Sequence, residues 1–110
     1  MSKFDEFKST LENGIGDLAE DTLKEFKDDA INDGKDFLRE TDEDLRRWTS
    51  QLAAGELSQD EFKWLVQGKK DLAELKALKQ KGLALAETDK FRAGLITLVT
   101  NTALDVFPQQ

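Results

Sequence analysis

Apolar side chains recur three and four positions apart through nearly the whole chain, whereas runs that alternate apolar and polar residues are scarce. That spacing predicts α-helix rather than strand, because three- and four-residue steps return to one face of a helix while a strand needs a step of two. The first half is the most regular: Phe4, Ile15, Phe26, Phe37 and Trp48 fall eleven residues apart, and Phe7, Leu11, Leu18, Leu23, Ile31, Leu45 and Leu52 fill the intervening turns. Eleven residues over three turns is about 3.67 per turn, which keeps an apolar stripe nearly straight along a helix. Only the first of the eleven positions stays large and apolar, so ordinary amphipathicity accounts for the pattern without an internal duplication.

The clearest interruption is Gly55-Glu56-Leu57-Ser58. Gly55 suits the left-handed position that ends a helix, and Ser58 with Glu61 has the spacing of a capping box that opens the next one. Leu57, just before the cap, fits a hydrophobic staple. Weaker interruptions are Asn32-Asp33-Gly34, Thr41 with Asp44, Gly82, and Thr88 with Asp89. The lone proline, Pro108, bars no helix upstream of it.

These signals predict one all-α domain over residues 1–110: an antiparallel helical hairpin with arms at about 3–54 and 59–106, a turn at 55–58, and room for one kink in each arm. With the turn centred near residue 56, facing positions sum to about 112. Trp48 then falls opposite Trp64, and Asp33, Asp36, Asp42 and Glu43 fall opposite Lys79, Lys76, Lys70 and Lys69. Straight arms would each extend about 70 Å, and a lone pair of helices leaves half of each uncovered. The expected completion is a helical bundle formed by oligomerisation, a dimer foremost, because the eleven-residue stripe runs through Gly34 without losing phase. The alternative is a four-helix monomer folded back at Gly34 and near residues 82–88.

Composition narrows the chemistry. Leu, Ile, Val and Phe make up 29 of the 110 residues, above the roughly 20 % below which a highly charged chain stays disordered. The chain has no histidine, cysteine or tyrosine, which removes disulfides, zinc fingers, thiol catalysis and imidazole bases. Its 16 basic and 23 acidic residues give a net charge of −7. The whole imbalance lies in residues 1–55, and residues 56–110 are neutral. Met1-Ser2-Lys3 runs into Phe4-Asp5-Glu6 without the apolar core of a secretory leader, which points to the cytoplasm. The longest uncharged run, residues 93–104, is far shorter than the roughly 20 residues a membrane-spanning helix needs.

Candidate sites for chemistry are weak. Asp29-Ala30-Ile31-Asn32-Asp33-Gly34, with Glu40 at the twelfth position, partly matches a calcium-binding loop, but Ile31 stands where the third position must offer oxygen. Gly68-Lys69-Lys70 lacks the upstream glycine and the hydroxyl of a phosphate loop. The lysines from Lys63 to Lys81, with Phe62 and Trp64, could neutralise phosphate and stack on bases, but the net charge repels polyanions and the acidic arm supplies partners in the same chain. No metal, no cofactor, no nucleic acid and no catalytic residue is therefore expected.

The closing segment, residues 91–107, is apolar around much of its circumference and needs cover on more than one side. Phe91, Leu95, Leu98, Val99, Leu104 and Val106 are the expected interface, either with a second copy or with a helix of another protein. The expected function is accordingly that of a non-enzymatic interaction or assembly protein. The alternative is attachment to a membrane surface through this segment and the lysines before it.

Overall fold

The computed structural model describes residues 2–108, and among them every regular element is helical. Helix α1 spans Lys3–Thr22. Ser2 opens it through a capping box in which the Ser2 hydroxyl accepts from the Asp5 amide at 3.1 Å and the Asp5 carboxylate accepts from the Ser2 amide. Phe4, Phe7, Leu11, Ile15 and Ala19 share its buried face. The chain then reverses through Leu23 and a single 3-10 turn, Lys24–Phe26. Helix α2 spans Lys27–Ala53 without interruption.

The reversal thus falls eight residues before Gly34, and no glycine or proline marks it. Gly34 instead lies inside α2, where a side chain would collide with the neighbouring helix: a Cβ there would lie 2.7 Å from Ile15 Cγ2. Its role is close approach of α1, not a bend. Asp33 beside it is used in the same way, as a buried contact to another helix. Thr41 is also helix interior, its hydroxyl donating to the Phe37 carbonyl at 2.8 Å, a self-contained way to bury a polar side chain.

Gly55, at φ +77°, ends α2, and the Glu56 and Leu57 amides both donate to the Gln51 carbonyl. Helix α3 spans Gln59–Gln67, opened by Ser58 and Glu61, each of whose side chains accepts from the other's amide at 3.0 Å. The amide that Ser58 donates holds the Glu61 carboxyl below the usual carboxylate range. A second irregular stretch follows: a 3-10 turn at Lys70–Leu72, the short helix α4 (Lys76–Gln80), and a loop through Gly82 at φ +78°. Helix α5 spans Leu85–Val106.

α1 and α5 run antiparallel with interlocking small and large residues. Leu98 fills the space over Gly14, where a Cβ would sit 2.8 Å from Leu98 Cδ1, and Leu18 fills the space over Gly94, where a Cβ would sit 2.9 Å from Leu18 Cδ1. α2 packs on the other flank of α1, and α3 also packs on α5. Phe7, Phe37, Phe62 and Phe91, one each from α1, α2, α3 and α5, meet no solvent or almost none. The molecule measures 43 × 26 × 20 Å, so the rods of about 70 Å expected for straight arms are replaced by arms doubled back on themselves.

Candidate interaction surface

The six residues expected to form an interface lie mostly inside the molecule. Phe91, Leu95 and Val99 are fully buried, and Leu98, Leu104 and Val106 are half-buried against the same core. The reversal at residues 23–26 brings α1 onto one side of α5 while α3 covers another, so a helix that one partner could not cover is covered by two from its own chain. Of its threonines only Thr97 is exposed: Thr88, Thr100 and Thr102 are buried, and the Thr88 and Thr100 hydroxyls donate to the Leu85 and Ile96 carbonyls at 2.9 and 3.0 Å.

Three of the six lysines from Lys63 to Lys81 are tied to acids of α2 or to a neighbour. Lys69 pairs with Asp44 at 3.0 Å and Lys81 with Asp29 at 4.0 Å, while Lys76 pairs with Glu74 at 3.1 Å. Asp33, 4 % exposed, accepts from the Ala77 and Leu78 amides at 3.0 and 2.9 Å. It caps the first turn of α4 from another helix, where the capping residue in sequence, Leu75, has no side-chain oxygen and sits at φ +54°. An acidic stretch with partial calcium-loop spacing is therefore continuous helix, and one of its carboxylates is spent on backbone amides. Among the described residues no group of three or more acidic side chains gathers as a metal site, and no helix is long and apolar enough to cross a membrane.

One apolar surface left open is on α3. Phe62 and Val66 point into the core and Leu65 is half-buried, so Trp64 is turned outward and is 73 % exposed. Phe62, the other aromatic beside Lys63, is fully buried and offers no face for stacking. Trp64 borders a groove of about 440 Å³ whose walls are mostly carbon, lined by Trp48, Trp64, Leu65, Gln67, Gly68 and Lys69. Gly68 contributes no side chain, so the groove stays open at the C-terminal end of α3.

A charged clamp fixes the far wall. Lys69 Nζ lies 5.8 Å from the Trp48 ring centre and the Arg47 guanidinium 5.9 Å from it. Both cations also bind the Asp44 carboxylate, Lys69 at 3.0 Å and Arg47 at 2.7 Å. The Lys69 hydrogen bond, aided by Arg47, outweighs desolvation and holds the Asp44 carboxyl below its usual range. Trp48 is itself buried, and two cations within 6 Å of its ring centre hold it as cation–π contacts do, so the Trp48 wall is set before anything binds.

A larger groove, about 640 Å³, lies between α5 and the 3-10 turn at residues 70–72 and is lined by Lys70, Asp71, Asp89 and Arg92 among others. Of its two cations Arg92 is engaged, donating to the Ala73 carbonyl at 2.9 Å and to Asp89 at 2.7 Å, and so ties Ala73 to α5. Pairing across the turn sets Trp64 against Trp48 without singling it out; with Phe62 and Val66 fixed as the buried positions of α3, position 64 falls on the opposite side of the helix. No family model, curated protein or solved structure matches the chain.

Proposed function

We propose that this chain, a helical hairpin doubled back on itself, is a small non-enzymatic interaction protein of the cytoplasm that acts by self-association or by packing against a partner helix. The observation that carries the reading is Trp64, 73 % exposed beside a preformed apolar groove. Tryptophan is the side chain most enriched among residues that dominate binding energy, and an indole left in water beside a carbon-lined groove has the form of an anchor and its socket. Enzymatic work has little support, because histidine and cysteine are absent and the buried carboxylate, Asp33, is engaged by two amides. Nucleic acid as partner is disfavoured by the charge of −7.

The test is photo-crosslinking in the cells that make the protein, with a photoreactive phenylalanine analogue at position 64 and, as control, at exposed position 17 on α1. A discrete adduct from position 64 and none from position 17 is expected. Equal labelling from both, or none from either, would reject the reading.

A membrane surface is the second reading, supported by a different place. Leu85, in the first turn of α5, is 72 % exposed; Ala84 and Ala86 are exposed beside it, and Lys79, Lys81 and Lys90 lie nearby in sequence. Burying one leucine contributes about 2 kcal/mol and each nearby lysine about 1 kcal/mol at an anionic surface, enough for weak, reversible attachment. Sedimentation with vesicles separates the readings: attachment requires more binding to anionic than to neutral vesicles and its loss in Leu85→Ser.

A further inference from the structure

Resting on the interaction reading above, we infer that residues 69–82 act as a strap along α2 whose fastening at Asp33 keeps the Trp64 groove formed. The groove is built from three pieces: Trp64, Leu65 and Gln67 of α3, Trp48 of α2, and Gly68 with Lys69, where α3 ends and the strap begins. The first two pieces are anchored in the core, since Phe62, Val66 and Trp48 are buried. Lys69 is half-buried, and its ammonium is held by Asp44 at 3.0 Å and lies 5.8 Å from the Trp48 ring centre. Those contacts last only while the backbone after Gly68 stays in place, so the strap supplies the movable wall.

From Lys69 to Lys81 the strap meets Asp44, then Asp33, then Asp29, and so lies antiparallel along about 22 Å of α2. Its own hydrogen bonds close a 3-10 turn and five residues of helix, too few to persist alone. Leu75 stands at φ +54°, a left-handed backbone that a Cβ disfavours and that holds only where the surroundings impose it. Asp33 imposes it from the next turn, by accepting from the Ala77 and Leu78 amides. Towards the groove, the Leu72 and Ala73 amides donate to the Lys69 and Lys70 carbonyls, and Ala73, Leu75 and Leu78 enter one core. Releasing Asp33 therefore loosens the turn that begins at Lys69, about 16 Å away along α2. A partner seated against Lys69 and Trp48 binds the fastened form and by linkage tightens the strap. Asp33 is thus a positioning residue for a surface it does not touch.

Residue-resolved amide exchange in the purified protein tests the coupling with no partner present. Asp33→Asn keeps the size of the side chain but leaves an oxygen for one amide and sets an NH2 group against the other. Ala77 and Leu78 lose their acceptor directly; the informative amides are Leu72, Ala73 and Lys79, which bond to the Lys69, Lys70 and Leu75 carbonyls. All three should exchange about tenfold faster, by one common factor, while those of α5 stay unchanged. In the reverse direction Lys69→Met, which keeps the stem and removes the charge, should speed Leu78 and Lys79 about threefold. Acceleration confined to residues 76–80 in Asp33→Asn, or Lys69→Met without effect at Leu78 and Lys79, would overturn the strap; if Asp33→Asn unfolds the whole chain, Lys69→Met alone decides. Crosslinking from position 64 is read separately. No adduct from the unaltered background rejects the interaction reading and leaves exchange to judge the strap, whereas an adduct without the common factor overturns the strap alone.

Discussion

The α1–α5 contact and the attachment of residues 68–84 to α2 are two ways of fixing chain to chain. Between α1 and α5 the fit is steric: leucines lie over glycines at Gly14 and Gly94, and the surrounding side chains are apolar. Residues 68–84 form only a 3-10 turn and five residues of helix, too little regular structure to hold itself. They are pinned at chosen points: Lys69 to Asp44, Ala77 and Leu78 to Asp33, Ala73 to Arg92, and Lys81 to Asp29. Residues 68–84 also bury Ala73, Leu75 and Leu78 in the common core, but with so little regular structure their attachment depends in addition on these few named groups, whereas the α1–α5 contact resists any single polar change.

Breaking the first region should cost most. Phe91→Ala removes a ring with no exposure from the N-terminal third of α5, and should destabilise the protein by about 3–5 kcal/mol in urea unfolding. Asp33→Ala should cost less, about 1–3 kcal/mol, by leaving the buried Leu78 amide and the half-buried Ala77 amide without an acceptor. Its signature is local. Amide exchange should accelerate at Ala77 and Leu78 well before it does along α5; uniform acceleration would mean that residues 68–84 do not open separately.

What could be read from the chain follows the same division. Elements closed by local chemistry were visible: Ser58 with Glu61 marks the start of α3, and Gly55 marks the end of α2. Ser2 with Asp5 has the same three-residue spacing, with aspartate in place of glutamate, and was not read from the sequence. The reversal at residues 23–26 was not visible, since Leu23 through Phe26 contains no breaker and the stripe keeps phase across it. Tertiary packing of Ile15 against Gly34 decides that bend. Once it is missed, α5 looks half-covered, and Phe91, Leu95 and Val99 read as an intermolecular face. The candidate surface was missed for the converse reason: Trp64 is informative only once Phe62 and Val66 are known to point inward.

Acid should loosen the ion-paired contacts of α2, Asp42 with Lys8 of α1 and Asp44 with Lys69, before the steric contact of α1 with α5. Burial pulls the Asp42 carboxyl upward, but Lys8 and Arg46 outweigh it and hold it below its ordinary 3.8; Asp44 is held low by Lys69 and Arg47. A carboxyl depressed in the folded state contributes stability that is complete above its unfolded value and is lost as pH falls through the folded one. Thermal midpoints should therefore be flat near neutrality and fall below about pH 4. Because these side chains are partly solvated, added salt should shrink the fall. Asp44→Asn should flatten it; a slope unchanged in that variant would remove the clamp from the account.

The smallest effect tests the steric region most sharply, because it compares two glycines of α1 two positions apart. Nothing lies within 4 Å of where a Cβ on Gly16 would sit, whereas a Cβ on Gly14 would meet Leu98 Cδ1 at 2.8 Å. Both lie in helix interior, where alanine is favoured over glycine by about 0.5–1 kcal/mol. Gly16→Ala should gain that amount. Gly14→Ala should lose it, since displacing a packed leucine costs about 1–3 kcal/mol. In a Leu98→Ala background the Gly14→Ala penalty should vanish, which makes the two substitutions non-additive. Equal gains at both glycines would mean that α1 and α5 do not approach closely enough for Gly14 to matter, and additivity would place Leu98 away from it.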